Sequence, residues 1–212
     1  MKYLLDDLKQ AWRYRNAPTP RWTGDSLDYC ARKFGSVPSY RSDLRLHRAV
    51  ASQAVPGGYI LELGVATGRS IRHWASLFPN QTVYGFDGFE GIYEDWNGFK
   101  AGHFAQKLPQ VPHNVELVVG RFDATLPGWT QQNPGFASII HIDSDLYSAA
   151  KDAFKWLKPY IRSGTIIVFD EYWNYPTWQE HEYRAWQEEG IPYDYIGYVH
   201  GGNYQPVAVK VK

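Results

Sequence analysis

The chain reads as an α/β protein: a seven-stranded mixed sheet, mostly parallel, ending in a C-terminal antiparallel hairpin, with helices on both faces. Three observations predict it. Short apolar runs alternate with segments of helical spacing from about residue 59 onward, the pattern of strand-helix-strand units. Two of those runs, FASIIHID and GTIIVFDE, each end in acidic residues, as strands do when their carboxyl ends face a ligand site. Near the C-terminus, YDYIGYVH and YQPVAVKVK flank Gly201-Gly202-Asn203, a hairpin signal.

Taken in order, residues 1–40 form a helical or irregular lead-in interrupted by NAPTPRW and SVPSY. Apolar residues at Leu44, Leu46, Ala49, Val50 and Ala54 predict a helix over Ser42–Val55, stopped by Pro56 and two glycines. YILELG is the first core strand, VATG a turn, RSIRHWASLF a helix and TVYGFD the second strand. Residues 88–114 form an insertion long enough to be a lid or binding element, with one short helix expected around Phe99–Leu108. VELVVG is the third strand and leads into RFDATLPGW. The two acid-tipped strands follow, joined by a helix with Leu146, Ala149, Ala150, Ala153, Phe154 and Leu157 on one face. A helix near Thr177–Glu189 precedes the hairpin. The expected division is therefore a lead-in or lid over 1–55 and a core over 56–212 that carries the insertion 88–114.

Composition narrows the function classes. With 212 residues and 44% hydrophobic content the chain buries a full core without disulfides. Lys+Arg and Asp+Glu both number 22, so no net charge draws it to nucleic acid or an anionic membrane, and neither is expected as a partner. The single cysteine, Cys30, excludes an internal disulfide and a multi-cysteine zinc site. No apolar run of membrane-spanning length occurs, and MKYLLDDLKQAW is too acidic for a secretory signal, so a cytoplasmic location is expected. Aromatic content is high, with 9 Trp and 16 Tyr, which suits a ligand pocket or an interface such as a homo-oligomer contact.

The chemistry centres on His141-Ile142-Asp143-Ser144-Asp145 and Phe169-Asp170-Glu171-Tyr172. A strand-helix-strand order makes their strands parallel, and parallel neighbours lie about 4.8 Å apart. Four carboxylates brought that close repel one another unless a proton or a cation separates them, and a hard metal ion meets that need. Each lone Asp also has a bland reading as a cap or loop residue, Asp145 above all, because it sits where a helix begins. His141, inside an apolar strand, reads as a hydrogen-bonded core histidine. His103 and His181 lie in aromatic stretches and read as weak candidates for a supporting substrate role. Trp173, Tyr175 and Trp178 either stack on a substrate ring or pack beneath the hairpin. Upstream, Glu62-Leu63-Gly64-Val65-Ala66-Thr67-Gly68-Arg69-Ser70 lets backbone approach a ligand, although it lacks the dinucleotide fingerprint G-x-G-x-x-G. Asp87 closes the second strand, where a carboxylate accepts hydrogen bonds from ribose hydroxyls.

ELGVATG, the strand order and the terminal hairpin resemble a class I S-adenosylmethionine-dependent methyltransferase, with its Rossmann-like sheet. GFDGFEGI, RFDATLP, HIDSDLYSA and IVFDEY, in that order, more narrowly resemble the macrocin O-methyltransferase family, over roughly residues 40–185. The resemblance implies magnesium-assisted methylation of sugar hydroxyls on natural products. It implies that Glu62, Gly64, Ala66, Gly68 and Ser70 hold the methionine part of S-adenosylmethionine, that Asp87 binds its ribose and that Asp123 contacts its adenine. It implies metal ligation by Asp143, Asp170 and Glu171, and proton removal by Asp145 as general base. Oxygen-only ligands suit magnesium or another hard divalent cation better than zinc. The second cluster departs from the family in reading Asp-Glu rather than Asp-Asp. Leu146 stands where catechol-type enzymes carry a lysine, which disfavours a catechol mechanism. The expected partner is a small-molecule hydroxyl acceptor, sugar or phenol. The competing readings are a metal-independent methyltransferase, an aminopropyl transferase on the same fold, and an inactive nucleoside-binding scaffold.

Overall fold

The computed structural model describes residues 24–200 and 205–212. The first part of the lead-in and the expected Gly201–Asn203 turn lie outside them. The elements run α1 (Gly24–Lys33), β1 (Ser39–Tyr40), α2 (Asp43–Ala51), β2 (Tyr59–Leu63), α3 (Arg69–Leu77), β3 (Val83–Asp87) and β4 (Val115–Val119). Then come α4 (Phe122–Gln132), β5 (Ala137–Ile142), α5 (Tyr147–Leu157), β6 (Ile166–Trp173), α6 (Glu182–Gln187), β7 (Tyr193–Val199) and β8 (Gln205–Val211). One sheet orders them β1-β7-β8-β6-β5-β2-β3-β4, with β8 antiparallel to both neighbours and the other pairs parallel. All seven expected strands are present. An eighth, the two-residue β1, pairs with the edge of β7 through Ser39↔Tyr198 and Tyr40↔Val199.

The central strands β5 and β6 are buried on both faces, so they read as continuous apolar runs rather than alternating ones. The pleat still sorts their side chains. Leu61, Ile140, Ile167 and Phe169 point to the face covered by α4, α5 and α6, where Leu126, Trp129, Ala150, Phe154 and Trp186 meet them. Ile60, Ile139, Ile166 and Val168 point to the other face, under Leu46, Val50, Ile71 and Trp74 of α2 and α3. α1 joins the first cluster through Tyr29, and Phe34, just past its end, meets the Trp173 ring edge-on.

The insertion differs from expectation. It holds no helix over 99–108. Instead it folds back on itself, with Ile92 N–H donating to His103 O (3.0 Å) and Gly102 N–H to Ile92 O (2.7 Å). Gly102 sits at φ 86, in the left-handed region that ends rather than continues a helix. The expected helix near Thr177–Glu189 resolves into a single 3₁₀ turn, Trp178–Glu180, and the short α6. Among the described residues no helix is long and apolar enough to cross a membrane.

Candidate active site

The register across the sheet places the acidic residues. Ile142 pairs with Phe169, so Asp143 and Asp170 follow side by side at the carboxyl ends of β5 and β6. Leu63 pairs with Ile142, so Gly64 lies opposite Asp143 on the other side. That approach is close: a Cβ on Gly64, whose φ is 99, would stand 1.7 Å from the Asp143 carbonyl oxygen. Only glycine fits there.

A cavity of about 1360 Å³ opens over these strand ends. Gly64, Ala66, Ser70, Asp87, Asp123, Asp143, Asp145, Asp170 and Glu171 all line it. Of the residues anticipated at the site, Glu62 and Gly68 do not. Glu62 is fully buried beneath the turn and accepts a hydrogen bond from Ser70 Oγ (3.1 Å). Gly68, at φ 79, is the N-cap that turns the chain into α3. Asp87 locks the glycine turn: its Oδ2 accepts from the amides of Val65 (2.7 Å) and Ala66 (2.8 Å), its Oδ1 from that of Phe89 (2.6 Å). Asp123 pairs with Arg121 Nε (3.2 Å), whose guanidinium lies 3.6 Å over the Tyr93 ring.

Burial and mutual repulsion govern the carboxylates. Burial first, then the Asp170 charge, pushes Asp143 well above the ordinary range. Burial with the charges of Asp170 and Asp87 pushes Asp145 up to about 7. Glu171 is raised well above its ordinary value by burial and by Asp145, Asp170 and Asp143, and its Oε2 is buried without a hydrogen-bond partner. The capping alternative for Asp145 is not realised: the N-cap of α5 is Leu146, and Asp145 sits before it at φ 60. A non-glycine residue in that region costs roughly 1–2 kcal/mol, a strain that functional sites often carry.

Two residues play a larger part than their sequence suggests. Glu182, in α6, is fully buried. It accepts from the amides of Ser144 (3.1 Å) and Glu171 (3.4 Å), so one carboxylate braces both acidic strand ends from below. Burial lifts it to about 8. No local signal separates it from the neighbouring exposed acids in QEHEYRAWQEE. His141 is a buried core residue, as its strand implied, with Nδ1 3.1 Å from Glu62 Oε2. Burial opposes its protonation, but Asp170 and Glu62 outweigh that and hold the imidazole well above its ordinary pKa. Among the described residues, His141, Asp143 and Asp170 form the group whose ligand atoms all lie within 4.8 Å of one another.

Trp173, Tyr175 and Trp178 are packed into the core and do not reach the cavity. The aromatic wall comes instead from the insertion, through Tyr93, Trp96, Phe99 and Phe104. His103 stacks on Phe99, and His181 stacks on Tyr175 while its Nε2 meets Thr177 Oγ1 (3.1 Å); neither lines the cavity.

Solved structures with the same fold include CalS11, the calicheamicin methyltransferase, at 21% identity over 96% of this chain and 90% of that one, with a TM-score of 0.63. The O-methyltransferase NovP matches at 20% identity over 79% of this chain and 78% of that one, with a TM-score of 0.57. MycE, from the mycinamycin biosynthetic pathway and bound to Mg, SAH and mycinamycin VI, matches at 17% over 90% of this chain and 54% of that one, with a TM-score of 0.51. No curated protein matches by sequence. The profile described as "Methyltransferase domain" matches residues 61–172, more than half of the chain, from the glycine-turn strand to the second acidic cluster. The chain belongs to the methyltransferase domain family and has the class I fold of its S-adenosylmethionine-dependent members.

Proposed function

We propose that the protein transfers the methyl group of S-adenosylmethionine to a hydroxyl of a small molecule, a sugar moiety of a natural product or glycan, with help from a divalent metal ion such as magnesium. One observation carries this reading: the paired Asp143 and Asp170 share a single cavity with the Asp87-locked glycine turn. CalS11, also described as a TDP-rhamnose 3′-O-methyltransferase, supports the sugar class, and MycE with Mg and SAH supports the metal and the cofactor.

The residues present fit a cation. Asp143, Asp170 and Glu171 all line the cavity and the Glu171 Oε2 is buried without a partner, although among the described residues the ligand atoms that converge within 4.8 Å are those of His141, Asp143 and Asp170. Asp143, Asp170 and Glu171 would hold the ion, which when bound lowers the pKa of a hydroxyl and holds vicinal oxygens in place. S-adenosylmethionine brings a methyl group already activated on a sulfonium. The chain's own share is alignment and proton removal. Gly64, Ala66 and Ser70 present the turn to the methionine end of the cofactor. Asp87 keeps one lone-pair site, on Oδ1, for a ribose hydroxyl after taking its three amide bonds, and Asp123 lies toward the adenine. Glu62 and Gly68 serve from beneath, fixing the turn. Asp145, two residues beyond Asp143 and lining the same cavity, accepts the hydroxyl proton on its carboxylate. The insertion's aromatic wall and Arg41–Asp43 of the N-terminal segment enclose the acceptor and exclude water.

Labelled S-adenosylmethionine offered with free and nucleotide-linked sugars tests this. Methyl transfer that EDTA abolishes is expected, and Asp145→Asn should lower kcat by about 10²–10⁴-fold with little change in cofactor KM. Transfer indifferent to EDTA contradicts the metal's role, and an unchanged kcat in the variant contradicts the base.

A further inference from the structure

The carboxylate cluster has a nitrogen neighbour that the oxygen-only ligand set leaves unused. Glu62 pairs with His141, and His141 pairs with Val168, so these three form one row across β2, β5 and β6. The next row on the same face is Gly64, Asp143 and Asp170. His141 therefore stands directly behind the two acids, with its ring running from one row to the other. Its Nδ1 lies 3.1 Å from Glu62 Oε2, while the Trp74 indole N–H points at the same nitrogen from 3.3 Å; the nearer contact, to a carboxylate, takes the Nδ1 proton. Its Nε2 faces forward, 3.9 Å from Asp170 Oδ1. That separation allows ionic attraction but is too long for a hydrogen bond, and Nε2 is a fully buried atom with no hydrogen-bond partner. A buried polar atom without a hydrogen bond asks for an explanation.

The arrangement on its far side supplies one. Histidines that bind metals commonly give their other ring proton to a carboxylate, which fixes the tautomer and aims the free nitrogen. Glu62 is placed to do that here, keeping the Nδ1 proton while an ion at Nε2 would displace the proton that the ring otherwise carries there. It has no surface on the cavity, and its other oxygen is held by Ser70 Oγ. Gly64, with no side chain, leaves the space beside Asp143 open. Nε2 and the oxygens of Asp143 and Asp170 then converge within 4.8 Å, and shifts of about 1 Å bring such a set to the roughly 3 Å spacing of adjacent ligands on an ion.

We propose that His141 Nε2 is itself a ligand of the metal, with Glu62 as its anchor, so that the site is a mixed nitrogen and oxygen site selecting a first-row transition ion of the manganese(II) or iron(II) type over magnesium. Imidazole suits iron(II) and the later first-row ions, and manganese(II) accepts one more readily than magnesium, which keeps an all-oxygen shell. The inference rests on the metal-assisted reading above and sharpens it. It also gives the buried Glu62 a role that the cavity does not.

The test uses manganese(II) as the probe on the full-length protein, by pulsed electron paramagnetic resonance. Bound manganese should show modulation from a directly coordinated ¹⁴N, replaced by a ¹⁵N pattern in protein labelled at histidine, and persisting in a large excess of magnesium. His141→Gln should remove the nitrogen signal and weaken manganese binding by about 10–100-fold while keeping S-adenosylhomocysteine binding, and Glu62→Gln should weaken manganese binding within the same range. The wild-type spectrum decides even if a variant does not fold. Bound manganese without nitrogen coupling overturns the proposal and leaves an all-carboxylate metal site standing. No manganese binding, with S-adenosylhomocysteine present or absent, overturns both, and cofactor binding measured alongside shows whether the methyltransferase reading survives.

Discussion

Glu182 illustrates how much of this site depends on single side chains outside the obvious clusters. Its two oxygens hold the amides of Ser144 and Glu171, the residues that flank the paired acids. Glu182→Ala leaves two buried N–H groups without acceptors, at about 1–3 kcal/mol each. Urea unfolding should show a loss of roughly 2–5 kcal/mol, and a loss below about 1 kcal/mol would mean that the brace is not what it looks like. At this scale the sequence was partly legible. Asp143 and Asp170 announce themselves because each ends an apolar strand, and register then fixes their pairing. Asp87 is visible for the same reason. Glu62 opens the glycine motif, but whether it faces the ligand or the core depends on the pleat and on what lies beneath, and here Ser70 and His141 claim it. Glu182 carries no local mark, since only the burial of α6 against the strand ends distinguishes it from Glu180 or Glu188.

Among the elements, α2 and α3 are tied at the cavity rim by Asp43 and Arg69, whose guanidinium grips both carboxylate oxygens. Burial would raise the Asp43 pKa, but the Arg69 hydrogen bonds and charge hold it at about 2. A depressed carboxylate gives stability that is fully present above its unfolded pKa of about 4 and is lost as pH falls toward 2. Asp43→Asn should therefore cost roughly 2 kcal/mol at pH 7 and almost nothing near pH 2. A cost that does not depend on pH, seen in urea titrations at both values, would contradict the ion pair's part. Helices with a clean apolar stripe, α3 and α5, follow the sequence closely. The helix expected in the insertion does not form because Gly102 adopts a left-handed backbone and Pro109 closes the segment. Trp173, Tyr175 and Trp178 sit in a polar-looking stretch, yet Phe34 and Tyr198 cover Trp173, Tyr29 covers Trp178 and Trp96 of the insertion meets Tyr175, a tertiary effect that no local pattern encodes.

Across the whole molecule, the carboxylate cluster makes stability depend jointly on protons and metal. With Asp145 raised to about 7, Glu182 to about 8, and Asp143 and Glu171 raised well above normal, the folded state keeps protons that the unfolded chain releases from about pH 4 upward. The sign follows: metal-free stability falls as pH rises from about 4 to about 8. In EDTA, Tm at pH 8 should lie roughly 5 °C or more below that at pH 5.5, and a divalent cation should restore more of it at pH 8. A Tm that is flat with pH and indifferent to metal would mean that the carboxylates are not coupled in this way. The global architecture was the most legible level, because alternating strand and helix periods dictate a parallel sheet with its ligand site at the carboxyl ends. Only the edge strand β1 was hidden. Two residues carry no period, and β7 positions them.

The most direct test of the central claim is a calorimetric titration of S-adenosylhomocysteine and of manganese or magnesium into the purified protein, repeated with Asp170→Ala. Micromolar cofactor binding, together with a separate metal heat that disappears in the variant, is the predicted result. Absence of cofactor binding with or without metal would contradict the assignment of a working methyltransferase to this chain.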